Sequence, residues 1–578
     1  MNLTPEEKAA GKENFRAALT AEKLDRRDFM KTGVAAGVVV GGSMGAFYFG
    51  YGASVTNPVR VGVLGTGDEG NVLIGGINPD FIEVKAIADI RPYSVYRAFH
   101  GDHYSPAALK ARCGLMSKYG WSTETEARKH VNVYGAYEDL LKNEPDIEAV
   151  IIALPLHLHA PAAIVAMRAG LHVLTEKLMG HSVCQCKEMA RVAEQEKLHL
   201  ATGHQRHYNI LYQEAVDTIR RGVLGDLHYI RAQWHRGNMP GADSWQKAMP
   251  ENVKPGDPLA TKLEKELDSW NRKLKEAIKN GSAKEVLQWE QMVAQKKAQL
   301  TDNVLAETAE KHGYRKGTFP GPDGEKYARP AAEEAIRWRL WQRTGGGLMA
   351  ELGSHQLDAA SIFISAVHGE KKHPLNVSAI ANRPLFLTGD REVNDHVCCM
   401  FEFEAPGYDA KDPVAARRKI GVQYASINGN GFGGYGEIVC GTEATLVLEK
   451  EQEVMLFHKA GSSKIKTSGG GGPTMDTQAS GEAQKAVATG PRNVSRGYAE
   501  ELEHWAWCIR NPAPENKPRC YPKVAMADAV IALTTNMAAH KGERVEFKDE
   551  WFDVDDDATP ERDVMGEKVK PDLTKYNK

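Results

Sequence analysis

The stretch from Val59 to Asp89 constrains the fold of this chain more than any other part of the sequence. It opens with Val59–Leu64, an apolar run of the kind that forms a buried parallel strand. Three glycines follow at G-x-G-x-x-G spacing, and a second apolar run from Phe81 to Ala88 ends at Asp89. This order of strand, glycine turn, helix, strand and acid predicts a dinucleotide-binding β-α-β unit.

Each glycine of the turn has its own task in such a unit. Gly65 permits the tight turn out of the strand, Gly67 lets the backbone approach a pyrophosphate, and Gly70 lets the helix pack close to the sheet. Thr66 lies inside the same turn, which leads into a helix N-terminus with unpaired N–H groups. We therefore predict that these four residues bind the phosphates of a cofactor.

The acid at the end of the second strand bears on which cofactor is bound. Asp89 lies 19 residues after Gly70, where a carboxylate accepts hydrogen bonds from the adenosine ribose and favours NAD. Arg91 keeps NADP open as an alternative, because a nearby arginine can hold a 2′-phosphate.

Strands and helices alternate up to about residue 205, which predicts a doubly wound parallel sheet. Ligands bind at the carboxyl ends of the strands in such sheets. Leu154 and Pro155 follow the predicted strand Ile147–Ala153, His159 opens the next helix, and Glu176 and Lys177 end the following strand. We expect these residues to lie beside the cofactor.

A second group of reactive side chains follows the glycine run at residues 345–347. On a helix Glu351 and His355 share one face, and Asp358 lies on the adjoining face. A carboxylate beside a histidine sets its tautomer and raises its basicity. The pattern favours His355 as a general base, with a structural histidine as the alternative.

Three segments together carry a resemblance to a known family: VGVLGTGDEG, ALPLHLHAPAAIVAMRAGLHVLTEKL and GGGLMAELGSHQLD. The chain resembles the Gfo/Idh/MocA NAD(P)-dependent oxidoreductases of sugars and polyols over about residues 59–245 and 335–555. The resemblance implies an α/β fold: a Rossmann domain followed by an α/β domain with a large, mostly antiparallel open sheet that packs subunits into a homo-oligomer. This chain has Leu178 where the family usually has proline, and Glu351 where it usually has aspartate.

The resemblance also implies roles for individual residues. Lys177 would hydrogen-bond the reacting oxygen, His355 would take the proton, and Glu351 would orient His355. The family's substrate region implies sugar contacts, for which the candidates are Arg206, Trp234, Arg236 and Asp358. A strand edge with solvated polar side chains is the alternative for the Trp234 region.

Three functions stay open at this point. The first is net hydride transfer to or from a hydroxyl carbon of a sugar, polyol or cyclitol, with NAD or NADP as cofactor. The second is an NAD-retaining glycosidase or lyase that acts by oxidation, elimination and reduction. The third is a non-catalytic, cofactor-bearing sugar-binding module.

The N-terminus indicates export. Residues 1–20 are polar and expected to be mobile, and Arg26-Arg27 precede an apolar run from Thr32 to about Ala53. This order predicts a twin-arginine signal, contact with the export machinery, a periplasmic location, and either cleavage or retention as a membrane anchor.

The sequence then divides into a leader at 1–55, a Rossmann domain at 56–205, a substrate and oligomerisation domain at 206–555, and a tail at 556–578. Residues 246–335 form a charged insertion in the second domain. Its stretch Leu259–Leu305 predicts a helical hairpin broken at Asn280–Ser282, with a packing or oligomer role.

Composition excludes several other classes. The net charge is −3 and basic residues form no stripe with aromatics, so no nucleic-acid partner is predicted. Eight cysteines in 578 residues do not make a disulfide scaffold. His181, Cys184 and Cys186 lie close in sequence, but C-x-C on a helix is poor metal geometry, and we predict no metal site.

Overall fold

The computed structural model describes residues 3–20, 44–458 and 496–567. Arg26, Arg27 and the apolar run up to residue 43 lie outside the described residues, so the twin-arginine signal stays a prediction. The Gly/Ser/Thr-rich segment 461–495, predicted as a surface loop, and the end of the tail from residue 568 also lie outside them.

Among the described residues before the first strand are two helices, α1 (Pro5–Thr20) and α2 (Met44–Phe49). The expectation that residues 1–20 are mobile is wrong, because α1 packs on the large sheet and buries Phe15. Phe49 and Tyr51 are buried in the apolar core of the first domain, so the end of the predicted leader belongs to the fold. In the described ranges, no helix is both long and apolar enough to cross a membrane.

The first domain is a parallel sheet with helices on both faces, as predicted. Its strands are β1 (Val59–Leu64), β2 (Ile82–Ala88), β3 (Asn132–Tyr134), β4 (Ala149–Ile152), β5 (His172–Glu176) and β6 (Leu200–Gly203). Its helices are α3 (Asp68–Gly76), α4 (Pro92–His100), α5 (Pro106–Ala111), α6 (Gly114–Tyr119), α7 (Glu124–Ala127), α8 (Tyr137–Asn143), α9 (His159–Arg168) and α10 (Val183–Gln195). The strand order is β3-β2-β1-β4-β5-β6, all parallel.

The position of the first strand in this sheet determines where a ligand can bind. The chain leaves β1 toward β2 on one side and later returns to β4 on the other, so the order reverses between β1 and β4. The connections diverge at this point and leave a crevice at the carboxyl ends of both strands. The predicted glycine turn and the Leu154-Pro155 segment meet there.

The second domain begins with α11 (Ile210–Arg220) and β7 (Leu227–Trp234) and then enters the insertion. The insertion holds α12 (Pro258–Asn280), α13 (Ala283–Leu300), α14 (Leu305–Thr308), β8 (Gly317–Pro320), β9 (Lys326–Arg329) and α15 (Ala331–Ile336). The predicted hairpin is present, and Ser282 starts α13 with a reciprocal capping box to Glu285. The β8–β9 hairpin was not predicted.

After the insertion the chain completes a mixed sheet and covers it with helices. The elements are α16 (Gln342–Gly345), a π-helical turn (Met349–Gly353), α17 (Ser354–His368), β10 (Pro374–Asn382), β11 (His396–Glu404), β12 (Lys419–Ile427), β13 (Tyr435–Gly441), β14 (Ala444–Glu449), β15 (Glu453–His458), α18 (Tyr498–Arg510), α19 (Pro522–Lys541), β16 (Val545–Glu546) and α20 (Pro560–Asp563). The strand order is β15-β14-β13-β7-β12-β11-β10-β16. The β7–β12 pair is parallel and the others are antiparallel, which confirms the predicted fold class.

The apolar core continues from one domain to the other. A single cluster includes Leu64 and Ile152 of the parallel sheet, Phe363 of α17 and Val422 of the mixed sheet. Because α17 lies within this shared core, the residues at its N-terminal end are held close to the crevice of the first domain. All eight cysteines are unpaired.

Candidate active site

A cavity of about 660 Å³ opens at the carboxyl ends of the parallel strands, between the first domain, the insertion and the start of α17. Its size is within the range of about 300–1,000 Å³ that is common for small-molecule sites. Most of the site residues predicted from sequence line it: Gly65, Gly67, Asp89, Arg91, Leu154, Pro155, His159, Glu176, Lys177, Trp234, Arg236, Glu351 and His355.

Lys177 and Glu351 meet across the cavity from different domains. Lys177 Nζ donates a hydrogen bond to the main-chain oxygen of Glu351 at 2.8 Å and lies 3.9 Å from its carboxylate. Lys177 comes directly after β5, while Glu351 lies in the π-helical turn before α17. The lysine ammonium is therefore fixed at the mouth of the parallel sheet by the backbone of the second domain.

The carboxylate of Glu351 lies between cationic side chains. It accepts a hydrogen bond from Arg339 Nε at 2.9 Å. Burial alone would raise its pKa, but Arg339 and Lys177 hold the pKa of Glu351 at about 2. Glu351 is thus ionised at all ordinary pH values.

The predicted pairing of Glu351 with His355 is not supported. Both residues line the cavity, but no hydrogen bond among the described residues joins their side chains. Glu351 gives its carboxylate to Arg339 and Lys177, not to the histidine.

His355 faces the cavity at the start of α17. Its Nδ1 atom is buried and has no hydrogen-bond partner among the described residues. Burial, followed by the charges of Lys177 and Arg206, holds the pKa of His355 well below its usual value. The ring is therefore neutral near pH 7 and has a free nitrogen to accept a proton.

Trp234 and Arg236 form the wall next to His355, as predicted for this strand end. The Trp234 and His355 rings lie 5.5 Å apart between centroids, and Tyr435 stacks on Trp234 at 4.6 Å. The guanidinium of Arg236 lies 5.7 Å from the rings of both Trp234 and Trp245. This wall combines a flat apolar surface with a cation, so the solvated-edge alternative does not describe it.

Residues 59–204 match the model of the Gfo/Idh/MocA oxidoreductase family, described as an NAD-binding Rossmann fold. The first domain of this chain is thus similar to the NAD-binding domain of the Gfo/Idh/MocA oxidoreductases. Among curated relatives, a "Glycosyl hydrolase family 109 protein" of Stenotrophomonas maltophilia is 30% identical over 179 residues, 30% of this chain and 35% of that protein. A "1-carboxy-3-chloro-3,4-dihydroxycyclo hexa-1,5-diene dehydrogenase" of Comamonas testosteroni is 29% identical over 175 residues, 30% of this chain and 37% of that protein.

The matched part thus spans about a third of the length of these relatives. Among solved structures, the NAD⁺ complex of an inositol dehydrogenase homolog from Azotobacter vinelandii covers 85% of this chain and 98% of its own at a TM-score of 0.50. With 13% identity, this likeness establishes the fold alone.

The glycine turn lies within the matched NAD-binding domain, and its geometry fits NAD. A Cβ atom on Gly67 would meet nothing within 4 Å, so this part of the turn leaves open space for a pyrophosphate. A Cβ atom on Gly70 would lie 2.1 Å from the Gly65 oxygen, and Gly65 itself has a φ of +87°. No side chain caps the N-terminus of α3, which leaves its first N–H groups for phosphate oxygens.

Asp89 occupies the position expected of the ribose-binding acid. Its carboxylate accepts hydrogen bonds from the main-chain N–H groups of Thr66 at 2.7 Å and Arg91 at 2.8 Å. Thr66 does not line the cavity, and it acts on the cofactor site by holding Asp89 in place.

Two residues beside Lys177 complete the strand ends. The His159 ring lies between the main-chain oxygens of Leu154 and Leu178, 2.8 Å from each, and so connects the loops after β4 and β5. Burial and the neighbouring Glu69 raise the pKa of Glu176 to about 8. Glu176 is therefore a neutral acid near pH 7.

Arg206 does not reach the cavity, contrary to its predicted sugar contact. It is buried and forms an ion pair with Glu451, and its guanidinium also donates to Gln356. The turn after β6 directs this side chain behind the cavity wall. Its positive charge is therefore paired with Glu451 inside the second domain.

Asp358 also lies behind the wall, so its predicted sugar contact is not supported. His207 Nε2 lies 2.8 Å from its Oδ1, and Lys371 Nζ lies 3.9 Å away. Two groups of described residues are close enough to hold a metal ion: His204, Cys520 and Asp528, and His207, Asp358 and Asp528. Lys371 Nζ lies 2.6 Å from Asp528 and supplies positive charge to both groups.

Several lining residues were missed from the sequence. The insertion contributes four consecutive residues, Lys311 to Tyr314, and the second domain contributes Trp338 and Arg339. Glu69, Gln205, Arg496 and Tyr498 also line the cavity. Glu69 could have been predicted from its position within the glycine turn. The lining residues of the insertion could not, because they belong to no recognisable motif.

Proposed function

We propose that this protein is an NAD-dependent oxidoreductase that acts on a hydroxyl-bearing carbon of a sugar, polyol or cyclitol. The observation that carries the proposal is that Lys177 and His355 line the same cavity as the glycine turn, with Lys177 near enough to help lower the pKa of His355. When bound, NAD supplies the acceptor or donor of the hydride. The chain itself supplies the position and the proton chemistry.

In this proposal Lys177 and His355 share the substrate hydroxyl. Lys177 donates a hydrogen bond to the oxygen and stabilises the negative charge that develops on it. His355 takes the proton on its free ring nitrogen, because the ring is neutral at working pH. In the reverse direction the imidazolium returns the proton readily, since its acidity is raised by burial and by Lys177.

The remaining wall supports a carbohydrate-like substrate. The indole face of Trp234 offers an apolar surface of the kind on which the C–H face of a sugar ring packs, and Arg236 offers donors to hydroxyl oxygens. The names of relatives add support, since one is a dehydrogenase of a dihydroxylated ring and another is a "dTDP-3,4-didehydro-2,6-dideoxy-alpha-D-glucose 3-reductase" of Streptomyces violaceoruber.

The test is a screen of sugars, polyols and cyclitols with NAD⁺ and the purified chain, followed by the absorbance of reduced nicotinamide. We expect turnover with at least one substrate class. Lys177→Met and His355→Ala should each lower kcat by about 100-fold or more while NAD⁺ affinity changes little. Full activity in both variants would contradict the assignment.

A second function, redox-neutral glycoside cleavage by oxidation, elimination and reduction, is favoured by a specific feature. Elimination needs a base and a separate acid for the leaving group, and Glu176 is a second proton carrier beside Lys177. Two further relatives named "Glycosyl hydrolase family 109 protein" support this candidate. It predicts about one retained NAD(H) per chain after denaturation, and glycoside cleavage without net NADH release.

Export by the twin-arginine route is a further part of the proposal, because Arg26-Arg27 precede an apolar run. This route exports folded proteins, which suits a chain that carries its cofactor. Expression in a host with and without the route, followed by fractionation, tests it: the protein should reach the periplasm only when the route is active. Homo-oligomerisation through the large sheet is tested by light scattering.

A further inference from the structure

The insertion at residues 246–335 contacts the cofactor domain through a buried carboxylate. Asp302, which follows α13, accepts hydrogen bonds from Arg91 Nε at 2.9 Å and from the Tyr93 main-chain N–H at 3.0 Å. Arg91 Nη2 also lies 2.8 Å from the same carboxylate. Asp302 is 1% exposed, so this ion pair is shielded from solvent.

Other contacts keep this carboxylate in place. Gln295 of α13 accepts a hydrogen bond from the His103 main-chain N–H at 2.6 Å and donates one to Asp102 at 2.8 Å. Before the hairpin, Lys247 forms an ion pair with Asp68 of the glycine turn at 3.2 Å. The insertion is thus fixed to the first domain at two points that precede Asp302 in the chain.

The same part of the insertion closes the cavity next to Asp89. Lys311, His312, Gly313 and Tyr314 line it there. Tyr314 is 5% exposed, and its ring contacts the edge of His157 at 5.7 Å between centroids. Nearby Asp89 adds to the effect of burial in raising the pKa of Tyr314, which places this tyrosine close to the ribose-binding acid.

The charges at this end of the cavity disfavour an additional phosphate. Asp302 pairs with the Arg91 guanidinium, and the Asp89 carboxylate is near enough to help raise the pKa of Arg91. A 2′-phosphate would add almost two further negative charges, and it would have to compete with Asp302 for Arg91. Both donors of Arg91, Nε and Nη2, reach the same oxygen of Asp302, and charge-assisted hydrogen bonds of this kind are about twice as strong as neutral ones.

We propose that Asp302 of the insertion selects NAD over NADP by holding Arg91 in an ion pair. This inference rests on the NAD binding of the proposed function. It gives the insertion a task that is independent of substrate chemistry: it removes the cation that would otherwise accept a 2′-phosphate. Lys311, which is exposed, is the competing cation on the same wall.

The test is equilibrium dialysis of the full-length chain, freed of retained nucleotide, against labelled NAD⁺ or NADP⁺. We expect the wild-type protein to bind NAD⁺ at least about tenfold more tightly. Asp302→Asn removes the charge at nearly constant shape, and it should tighten NADP⁺ binding by about tenfold with little change for NAD⁺. Adding Arg91→Ala to Asp302→Asn should abolish that gain.

Asp257→Asn is the matched control, because Asp257 is another buried acid of the insertion that pairs with an arginine, Arg337, at 2.8 Å. It should leave the NAD⁺ to NADP⁺ ratio unchanged. Arg91→Ala alone should leave NADP⁺ affinity within about twofold of the wild-type value. If Asp302→Asn does not fold, the NADP⁺ affinity of Arg91→Ala tests whether Arg91 is withheld from the 2′-phosphate.

Three results would overturn the role of Asp302. One is an unchanged ratio in Asp302→Asn, another is a large loss of NADP⁺ affinity in Arg91→Ala, and the third is tight NADP⁺ binding by the wild type that Lys311→Ala removes. A wild-type protein that binds neither nucleotide would instead overturn the proposed function, and the inference with it.

Discussion

Lys177 Nζ donates its hydrogen bond to the main-chain oxygen of Glu351, 2.8 Å away, rather than to the Glu351 carboxylate. A main-chain acceptor cannot be removed by a side-chain substitution. The position of Lys177 therefore depends on the π-helical turn that presents this oxygen. The carboxylate acts mainly as a counter-charge to Arg339 and Lys177.

Glu351→Gln should consequently lower kcat less than Lys177→Met does. We expect a decrease of about tenfold or less, because the lysine keeps its main-chain acceptor, against about 100-fold or more for the lysine variant. Steady-state kinetics on a substrate from the screen would measure both. Equal losses in the two variants would show that the carboxylate, and not the carbonyl, holds Lys177.

Gly67→Ala and Gly70→Ala should fail in different ways. A Cβ atom on Gly67 projects into open space, so this variant should fold normally and lose NAD⁺ affinity. A Cβ atom on Gly70 would lie 2.1 Å from the Gly65 oxygen, so this variant should be destabilised by about 1–3 kcal/mol or more. Thermal unfolding and NAD⁺ titration of both proteins separate the two effects. A stable Gly70→Ala protein would contradict the close packing of helix and turn.

Glu176 should make stability fall as pH rises. Burial and Glu69 raise its pKa to about 8 in the folded chain, against 4.5 for an unperturbed group. Between these values the folded protein binds more protons than the unfolded one, so the free energy of unfolding decreases with pH, by at most about 1.4 kcal/mol per pH unit. In Glu176→Gln this contribution is absent.

Urea unfolding of nucleotide-free protein at several pH values between 5 and 8 would measure the effect. Distant titrating groups affect the wild type and Glu176→Gln alike, so the difference between the two curves reports Glu176 together with its neighbour Glu69. Curves that stay parallel over this range would show that Glu176 titrates normally.

Arg206→Met should weaken the fold rather than substrate binding. It removes one of the two arginines that pair with the buried Glu451 carboxylate, the other being Arg496, so the cost should stay below the about 3–5 kcal/mol of a fully unpaired buried charge. The double variant Arg206→Met, Glu451→Gln should not recover this loss, because Arg496 then loses its own Glu451 partner. Urea unfolding measures both. A variant of normal stability with a raised KM would restore the substrate role implied by the family resemblance.

Local patterns predicted the first domain well. The glycine spacing, the apolar runs and Asp89 specify short-range geometry, and β1 begins and ends at the predicted residues. Lys177 and His355 were also predicted to share a site, and both line the cavity. These predictions depended on the resemblance to a family as well as on the residues.

The errors have physical causes beyond local pattern. The spacing of Glu351 and His355 predicted a paired acid and base, but Arg339 and Lys177 take the Glu351 carboxylate instead. Arg206 and Asp358 are directed away from the cavity by partners distant in sequence, Glu451 and Lys371. The contact between Asp302 and Arg91 joins positions 211 residues apart, and a charged helical run contains no sign of it.

The docking of α1 determines how the large sheet ends. β15 is the outermost strand, and Asn14 of α1 donates a hydrogen bond to the Leu456 main-chain oxygen at 3.0 Å, while Lys12 pairs with Glu453. Exposed edge strands act as templates for other extended chains. Proteolytic loss of residues 3–20 would uncover this edge together with the apolar surface beneath Phe15. By covering the edge strand β15, α1 should therefore prevent the large sheet from pairing with other chains and aggregating.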